Sequence, residues 1–261
     1  MIKAKKSLGQ NFLVDYNVIK IIINTIEIKD KTILEIGPGT GNLTNYILKQ
    51  KPKKLLAIEK DFKLAEELRN KNYNNLQIIN DDVLNIKENS LFKEKVIVFG
   101  NLPYNISTEI LSRWILNLKE SFWFEALILM FQKEVADRII SEPNNSNYGR
   151  LSILSNWKLK INKICDIKPN SFSPKPKIDS SLLFFTPKKN FYKIKDSRNL
   201  EKITRIFFNN RRKMIKKPFN QIFNGDLKVL DKLKLDLNLR PQNLNFETYY
   251  KLTEEYEKLT S

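Results

Sequence analysis

The chain has 261 residues, of which 46 are Lys or Arg and 29 are Asp or Glu, so its formal charge is +17. It has no histidine and one cysteine, Cys165, which excludes an imidazole base, a Ser-His-Asp triad, histidine-ligated zinc and an intramolecular disulfide. The basic balance favours a polyanionic partner, although an AT-rich genome that inflates Lys and Asn would produce the same balance.

The first strong pattern is an apolar run over residues 31–36, followed by Gly37-Pro38-Gly39-Thr40-Gly41 and by helical spacing over residues 43–48. This order predicts a strand, a glycine loop and a helix of a nucleotide-type α/β fold, in which the glycines let the backbone approach a ligand closely. The third glycine of a dinucleotide fingerprint is absent, and no Gly-Lys-Ser/Thr follows. NAD, FAD and a phosphate-binding P-loop are therefore disfavoured.

Acidic residues end the next two predicted strands. Residues 55–58 lead to Glu59, and residues 76–79 lead to Asn80, Asp81 and Asp82. Ligands of open α/β sheets bind beyond the carboxyl ends of the strands. Glu59 is therefore predicted to accept hydrogen bonds from ribose hydroxyls, and Asp82 is predicted to accept one from an adenine amino group. The alternative for both acids is a solvated strand end.

The fourth predicted strand, residues 96–99, ends in Gly100-Asn101-Leu102-Pro103-Tyr104. An exocyclic base amine is a poor nucleophile while its lone pair is shared with the ring, so it must be oriented by acceptors. Asn101 offers a side-chain carbonyl, Pro103 turns the backbone without an N–H, and Tyr104 offers a stacking face. The segment indicates amino-group methylation of a nucleobase. The alternative is an ordinary proline turn with Tyr104 in the core.

The pattern then predicts a helix over residues 107–118, a strand over residues 126–131 and a helix over residues 132–140. This alternation predicts a parallel sheet covered by helices on both faces. Two further apolar runs, 157–167 and 182–185, complete seven strands as an antiparallel edge. Between them, a proline-rich loop is expected to present Phe172 as an exposed stacking ring.

Strand patterns fade beyond Pro187, which predicts a domain of residues 1–187 and a small all-helical domain of residues 188–261. The second contains 18 Lys and Arg residues against 9 Asp and Glu residues. Its densest cluster, Arg211-Arg212-Lys213 with Lys216 and Lys217, is predicted to contact nucleic acid, the alternative being a solvated helix face. Lys3, Lys5 and Lys6 form a short basic arm. No apolar run is long enough to span a membrane and residues 1–6 lack a signal-peptide core, so a cytoplasmic location is expected.

Six motifs in order resemble the ribosomal RNA adenine N6 dimethyltransferase family. They are residues 7–13 (SLGQNFL), 35–41 (EIGPGTG), 100–107 (GNLPYNIS), 132–136 (QKEVA), 148–152 (YGRLS) and 171–181 (SFSPKPKIDSS). Within the family, the closest similarity is to the bacterial small-subunit enzymes that dimethylate two adjacent adenosines near the 3′ end of 16S rRNA. The erythromycin-resistance methylases, which act on 23S rRNA, share the core motifs.

The resemblance implies a Rossmann-like class I methyltransferase that uses S-adenosylmethionine. The donor pocket would be lined by Asn11, Leu13, Gly37, Glu59, Asp82 and Asn101. The target base would lie between Asn101, Leu102 and Tyr104 on one side and Phe172 on the other. The implied partner is 16S rRNA in the immature small subunit, and a monomer is expected.

Two other functions fit parts of the pattern. DNA adenine methyltransferases use a similar amine clamp, but here Leu102 replaces the first proline and no large target-recognition insert exists. A ribosome-assembly factor that binds immature small subunits, with catalysis secondary, is compatible with the same family resemblance.

Overall fold

The computed structural model describes residues 4–5, 9–119 and 121–260. Lys3 and Lys6 of the basic arm, and Ser7 and Leu8 of the first motif, lie outside the described residues. The chain divides into two compact units. The first unit comprises Met1–Ile110, Lys119–Ala136 and Ile161–Pro187, and the second comprises Leu111–Leu118, Asp137–Lys160 and Lys188–Ser261.

The strands of the described residues are β1 (Phe12–Leu13), β2 (Thr32–Ile36), β3 (Lys54–Glu59), β4 (Leu76–Asn80), β5 (Val96–Asn101), β6 (Phe124–Gln132), β7 (Leu159–Ile167), β8 (Phe172–Ser173) and β9 (Ser180–Pro187). The helices are α1 (Tyr16–Ile23), α2 (Asn42–Lys49), α3 (Phe62–Arg69), α4 (Ser107–Asn117), α5 (Lys133–Ile139), α6 (Arg150–Lys158), α7 (Ser197–Phe208), α8 (Lys216–Phe223), α9 (Leu227–Leu233) and α10 (Phe246–Leu259).

Seven strands form one sheet in the order β4-β3-β2-β5-β6-β9-β7. The pairs β3–β4, β2–β3, β2–β5 and β5–β6 are parallel, and β6–β9 is antiparallel. Every residue of β2 is buried, as expected for a parallel strand covered on both faces. The predicted α/β class with a mostly parallel seven-stranded sheet is confirmed.

The two runs predicted to complete the sheet as an antiparallel edge do so: β9 pairs antiparallel with β6 and is followed in the sheet by β7. The start of β9 lies beside the end of β6, where Ser180 is the partner of Gln132. Strand β7 is the edge strand, and Trp157, predicted to begin it, belongs to helix α6.

Strand order reverses between β2 and β5. From β2 the chain runs through β3 to β4 on one side, and from β5 to β6 on the other. The loops after β2 and β5 therefore diverge, and open α/β sheets bind ligands in the crevice formed there. Ile36 is the register partner of Gly100, so the glycine loop and the Asn101 segment leave the sheet side by side.

The N-terminal segment around β1 is bound to the chain near residue 172. Strand β1 pairs with β8, with Leu13 opposite Phe172. The hydroxyl of Ser171 donates to Asp15, which also caps α1 by accepting from the backbone N–H of Asn17. These contacts hold the N-terminal segment beside the sheet.

The second unit is built mainly from helices. Helix α10 packs on α7 and α6, with buried aromatic residues between them. Asp196 caps α7 and Asn245 caps α10 through side-chain acceptors for backbone N–H groups. Within the described ranges, no helix has the length and apolar character needed to cross a membrane.

Candidate functional site

The loop between β2 and α2 brings backbone close to a ligand site. Gly37 and Gly39 have φ values of 67° and 57°, a left-handed conformation that favours glycine. A Cβ at Gly39 would lie 2.8 Å from the ring of Phe12, so a side chain there would push against the N-terminal segment. The loop is therefore compatible with glycine and with very little else at this position.

Glu59, the last residue of β3, holds the glycine loop in place. Its Oε2 accepts the backbone N–H of Gly39 at 3.0 Å, and its Oε1 accepts the N–H of Asp61 at 2.8 Å. Burial raises the pKa of Glu59, and the two backbone donors oppose that effect. Each carboxylate oxygen has a second acceptor site, so a diol could still be bound.

Asp82 follows β4 and lies, like Glu59, at the carboxyl ends of the parallel strands. Its Oδ1 accepts the N–H of Leu84, and its Oδ2 pairs with Lys60 at 2.7 Å. Asn80 donates its side-chain amide to the carbonyl of Glu59 at 2.8 Å. The ends of β3 and β4 are therefore joined directly by hydrogen bonds.

The N-terminal segment contributes backbone carbonyls to the site. The side-chain amide of Asn101 donates to the carbonyl of Asn11 at 2.7 Å, and that of Asn42 donates to the carbonyl of Leu13 at 2.8 Å. The first bond uses the Nδ2 group of Asn101. It leaves the Asn101 Oδ1 as the group that can accept a hydrogen bond from another molecule.

Tyr104 and Leu102 are positioned by the strands beside them. The Tyr104 hydroxyl is hydrogen-bonded to the Ser180 hydroxyl at 2.6 Å, so the ring is fixed at the start of β9. Burial raises the pKa of Tyr104, which keeps the phenol neutral. Leu102 is 1% exposed and packs against Gly100, where a Cβ would lie 2.9 Å from the leucine side chain.

These residues line one cleft. It encloses about 1120 Å³, part of it open to solvent. The predicted site residues that line it are Asn11, Leu13, Gly37, Glu59, Asp82, Asn101, Leu102 and Tyr104.

Phe172 is the predicted site residue that does not line the cleft. The expectation that the proline-rich loop exposes its ring is wrong: the residue is 2% exposed and belongs to the hydrophobic core. Its pairing with Leu13 in β1 and β8 turns the segment inward, which the local proline pattern does not reveal.

Glu35 was not singled out from the sequence, yet it lines the cleft. It is 2% exposed within the fully buried strand β2, and its Oε2 has no hydrogen-bond partner among the residues that the structure describes. Burial raises the pKa of Glu35 to about 8, with the Thr44 hydroxyl opposing and the charge of Glu59 adding to the shift. A buried carboxyl with an unpaired oxygen is suited to bind a cationic group of a ligand. Its charge inside an otherwise apolar strand is the signal that could have found it.

No group of three or more His, Cys, Asp or Glu side chains suited to hold a metal ion occurs in the part of the chain that the structure describes.

A family model described as "Ribosomal RNA adenine dimethylase" matches residues 1–258. The chain is 65% identical over 258 residues to ribosomal RNA small subunit methyltransferase A of Pelagibacter ubique (strain HTCC1062), covering 99% of this chain and 98% of that protein. It is 41% identical over 263 residues to the protein of the same name from Wolbachia sp. subsp. Drosophila simulans (strain wRi), covering 99% and 96%.

Two solved structures are similar along nearly the whole chain. A dimethyladenosine transferase from Plasmodium falciparum has a TM-score of 0.81 and 28% identity, covering 95% of this chain and 98% of that one. The 23S rRNA methyltransferase ErmE has a TM-score of 0.69 and 23% identity, covering 95% and 100%, a likeness of fold.

Proposed function

The chain belongs to the ribosomal RNA adenine dimethylase family, and from this membership we propose that it dimethylates the N6 amino groups of two adjacent adenosines near the 3′ end of 16S rRNA. The methyl donor is S-adenosylmethionine. The substrate is the immature small ribosomal subunit in the cytoplasm. The enzyme acts as a monomer and has a role in small-subunit biogenesis. The names of the relatives support the small subunit as the target.

The residues of the cleft fit this donor. Glu59 has acceptor sites left for two ribose hydroxyls, and Asp82 lies at the next strand end for the adenine amino group. Gly37, Asn11 and Leu13 line the remaining wall. The bound donor supplies a methyl group on a positively charged sulfur.

Glu35 extends the donor site beyond the residues predicted from the sequence. Its unpaired Oε2 is buried in the same cleft and suits the ammonium group of the donor's amino-acid portion. A cation there would favour the ionised carboxylate, which burial otherwise disfavours.

The observation that carries the proposed reaction is the orientation of Asn101. Its Nδ2 is committed to the carbonyl of Asn11, so its Oδ1 is left to accept an N–H of the target amine. Accepting that hydrogen bond draws the amine out of conjugation and directs its lone pair towards the donor side of the cleft. Tyr104, fixed by Ser180, supplies the flat face for the adenine ring.

Proton removal does not require a strong base in this site. The amine becomes cationic as it gains the methyl group, so its proton can pass to water after transfer. Alignment and exclusion of water therefore contribute most of the catalysis. The absence of histidine from the sequence agrees with such a mechanism.

The second unit is proposed to bind rRNA. Arg212, Lys213, Lys216 and Lys217 are exposed and line a shallow depression together with Arg240. Arg211, in contrast, donates to backbone carbonyls of residues 145 and 146 and has a structural part. A cluster of exposed cations without a nearby carboxylate in its lining suits phosphate groups.

The test is incubation of the purified protein with labelled S-adenosylmethionine and unmethylated small subunits, with large subunits in parallel, followed by nucleoside analysis. We expect N6,N6-dimethyladenosine from small subunits alone. Label in large subunits would favour a resistance-methylase activity, and no label would favour a pure assembly role.

Asn101→Ala should lower the rate of transfer by roughly 100-fold or more while small-subunit binding is retained, a loss in the range of other positioned hydrogen-bond groups in active sites. Asn74→Ala, an exposed asparagine before β4, is the matched control and should keep full activity. Unchanged activity of Asn101→Ala would refute the assigned role.

A further inference from the structure

The loop of residues 174–179, between β8 and β9, is fixed at both ends to residues of the cleft. At one end, Ser173 pairs with Phe12 in β1, and at the other, the Ser180 hydroxyl is bonded to Tyr104. Phe12 and Tyr104 both line the cleft. No residue of this loop is more than three positions from an anchor, so each Cα lies within about 11 Å of one of them. The loop therefore lies beside the cleft.

Several lysines lie on and beside this loop. We define the lysine rim as the five lysines on and beside this loop in the first unit: Lys133, Lys163, Lys168, Lys175 and Lys177. Two carboxylates lie among them, Asp166 and Asp179. The rim thus has an excess of positive charge at the side of the cleft where Tyr104 is fixed.

Asp166 organises two of these lysines. It contacts Lys133 at 3.0 Å and Lys163 at 2.6 Å, and it accepts from the Ser181 hydroxyl at 2.6 Å. Partial burial alone would raise its pKa, but these donors hold the pKa of Asp166 well below its ordinary value. One fixed anion thus holds these two cations side by side.

The other lysines project more freely. Lys168 is paired with Asp179, and its side chain is 75% exposed. Lys175 and Lys177 are exposed, and the structure gives neither an ion pair within the described residues. Pro174 and Pro176 precede them and restrict the backbone, which lowers the entropic cost of holding two cations in place.

We propose that the lysine rim is a phosphate-binding surface of the catalytic unit, which holds the RNA backbone next to the extruded adenosine. This inference rests on the proposed function. A base that enters the cleft beside Tyr104 brings its own sugar-phosphate backbone to the entrance, next to the loop that carries Lys175 and Lys177. Their contacts position the strand and contribute no base specificity.

The test uses the double variant Lys175→Gln and Lys177→Gln in the full-length protein. The salt dependence of binding to unmethylated small subunits is measured together with transfer kinetics. Loss of two phosphate contacts on single-stranded RNA should reduce the slope of log K against log salt by about 1.4. At about 0.15 M salt this equals a roughly 14-fold weaker affinity. The KM for small subunits should rise, while kcat and the affinity for S-adenosylmethionine stay at wild-type values.

Lys54→Gln with Lys95→Gln is the matched control. These exposed lysines lie at the amino ends of β3 and β5, opposite the cleft, and their replacement changes the net charge equally. The control should keep the wild-type slope. An unchanged slope in the rim variant, or equal losses in both variants, would overturn the proposal. Failure of wild-type protein to methylate small subunits would refute the proposed function separately, because the slopes are read from binding alone.

Discussion

Replacing Glu35 with glutamine should change stability and donor binding in opposite directions. Burial raises the pKa of Glu35 to about 8 from an ordinary value of 4.5. The folded protein therefore holds this proton more tightly than the unfolded chain does. The resulting stabilisation is complete below pH 4.5 and is lost progressively as the pH rises through 8.

Between pH 6 and pH 8, these two pKa values correspond to a loss of about 2 kcal/mol of wild-type stability. Glutamine has a similar shape and no charge, so the variant does not lose this contribution. We therefore expect the difference in free energy of unfolding between Glu35→Gln and wild type to increase by about 2 kcal/mol from pH 6 to pH 8. The measurement is urea unfolding without ligand.

Donor binding should weaken in the same variant. A hydrogen bond to a charged group contributes roughly 1.5 to 3 kcal/mol, so the affinity for S-adenosylmethionine should fall by about 10- to 100-fold. Calorimetry at pH 7 in buffers of different ionisation enthalpy should show Glu35 releasing a proton on binding in the wild type and not in the variant.

Glu109→Gln, on the exposed side of α4, is the charge-matched control and should alter neither quantity. Two results would contradict the reasoning. One is a variant whose stability relative to wild type does not increase between pH 6 and pH 8. The other is a variant that binds the donor as tightly as wild type.

Phe172→Ala removes a ring from the hydrophobic core, so its cavity should cost about 3 to 5 kcal/mol of stability in urea unfolding. Phe172→Leu, which refills much of that volume, should cost less, and equal losses of stability in the two variants would contradict a packing role for the ring. Tyr104→Phe keeps the ring but removes the bond to Ser180, so it should cost about 1 kcal/mol of stability and leave most activity. Tyr104→Ala should lose far more activity in the same assay, and similar rates for the two variants would argue against stacking.

Much of the cleft could be predicted from the sequence because its signals are local. The glycine loop, Glu59 after β3 and Asp82 after β4 each follow a short apolar strand directly. Parallel strands bring their carboxyl ends to one edge, so local order along the chain becomes proximity in space. The Asn101 segment after β5 was predicted for the same reason.

Phe172 and Glu35 show where local signals end. The burial of Phe172 depends on its pairing with Leu13, a residue far away in the sequence. The unpaired oxygen of Glu35 depends on which groups the neighbouring strands and helix place around it. The residues beside Phe172 do not encode its burial, and those beside Glu35 mark it as an unusual acid in a strand without showing that its oxygen is unpaired.

The sequence by itself determined the α/β class, the glycine loop, the order of the strand-end residues and the family, because these follow from periodicity, residue type and motif spacing. The tertiary structure decided what depends on distant partners. It oriented the Asn101 amide through the Asn11 carbonyl, fixed Tyr104 by Ser180 and buried Phe172 beside Leu13. Contacts of this kind join segments far apart in the chain, so their geometry is set only when the sheet and its flanking segments pack together.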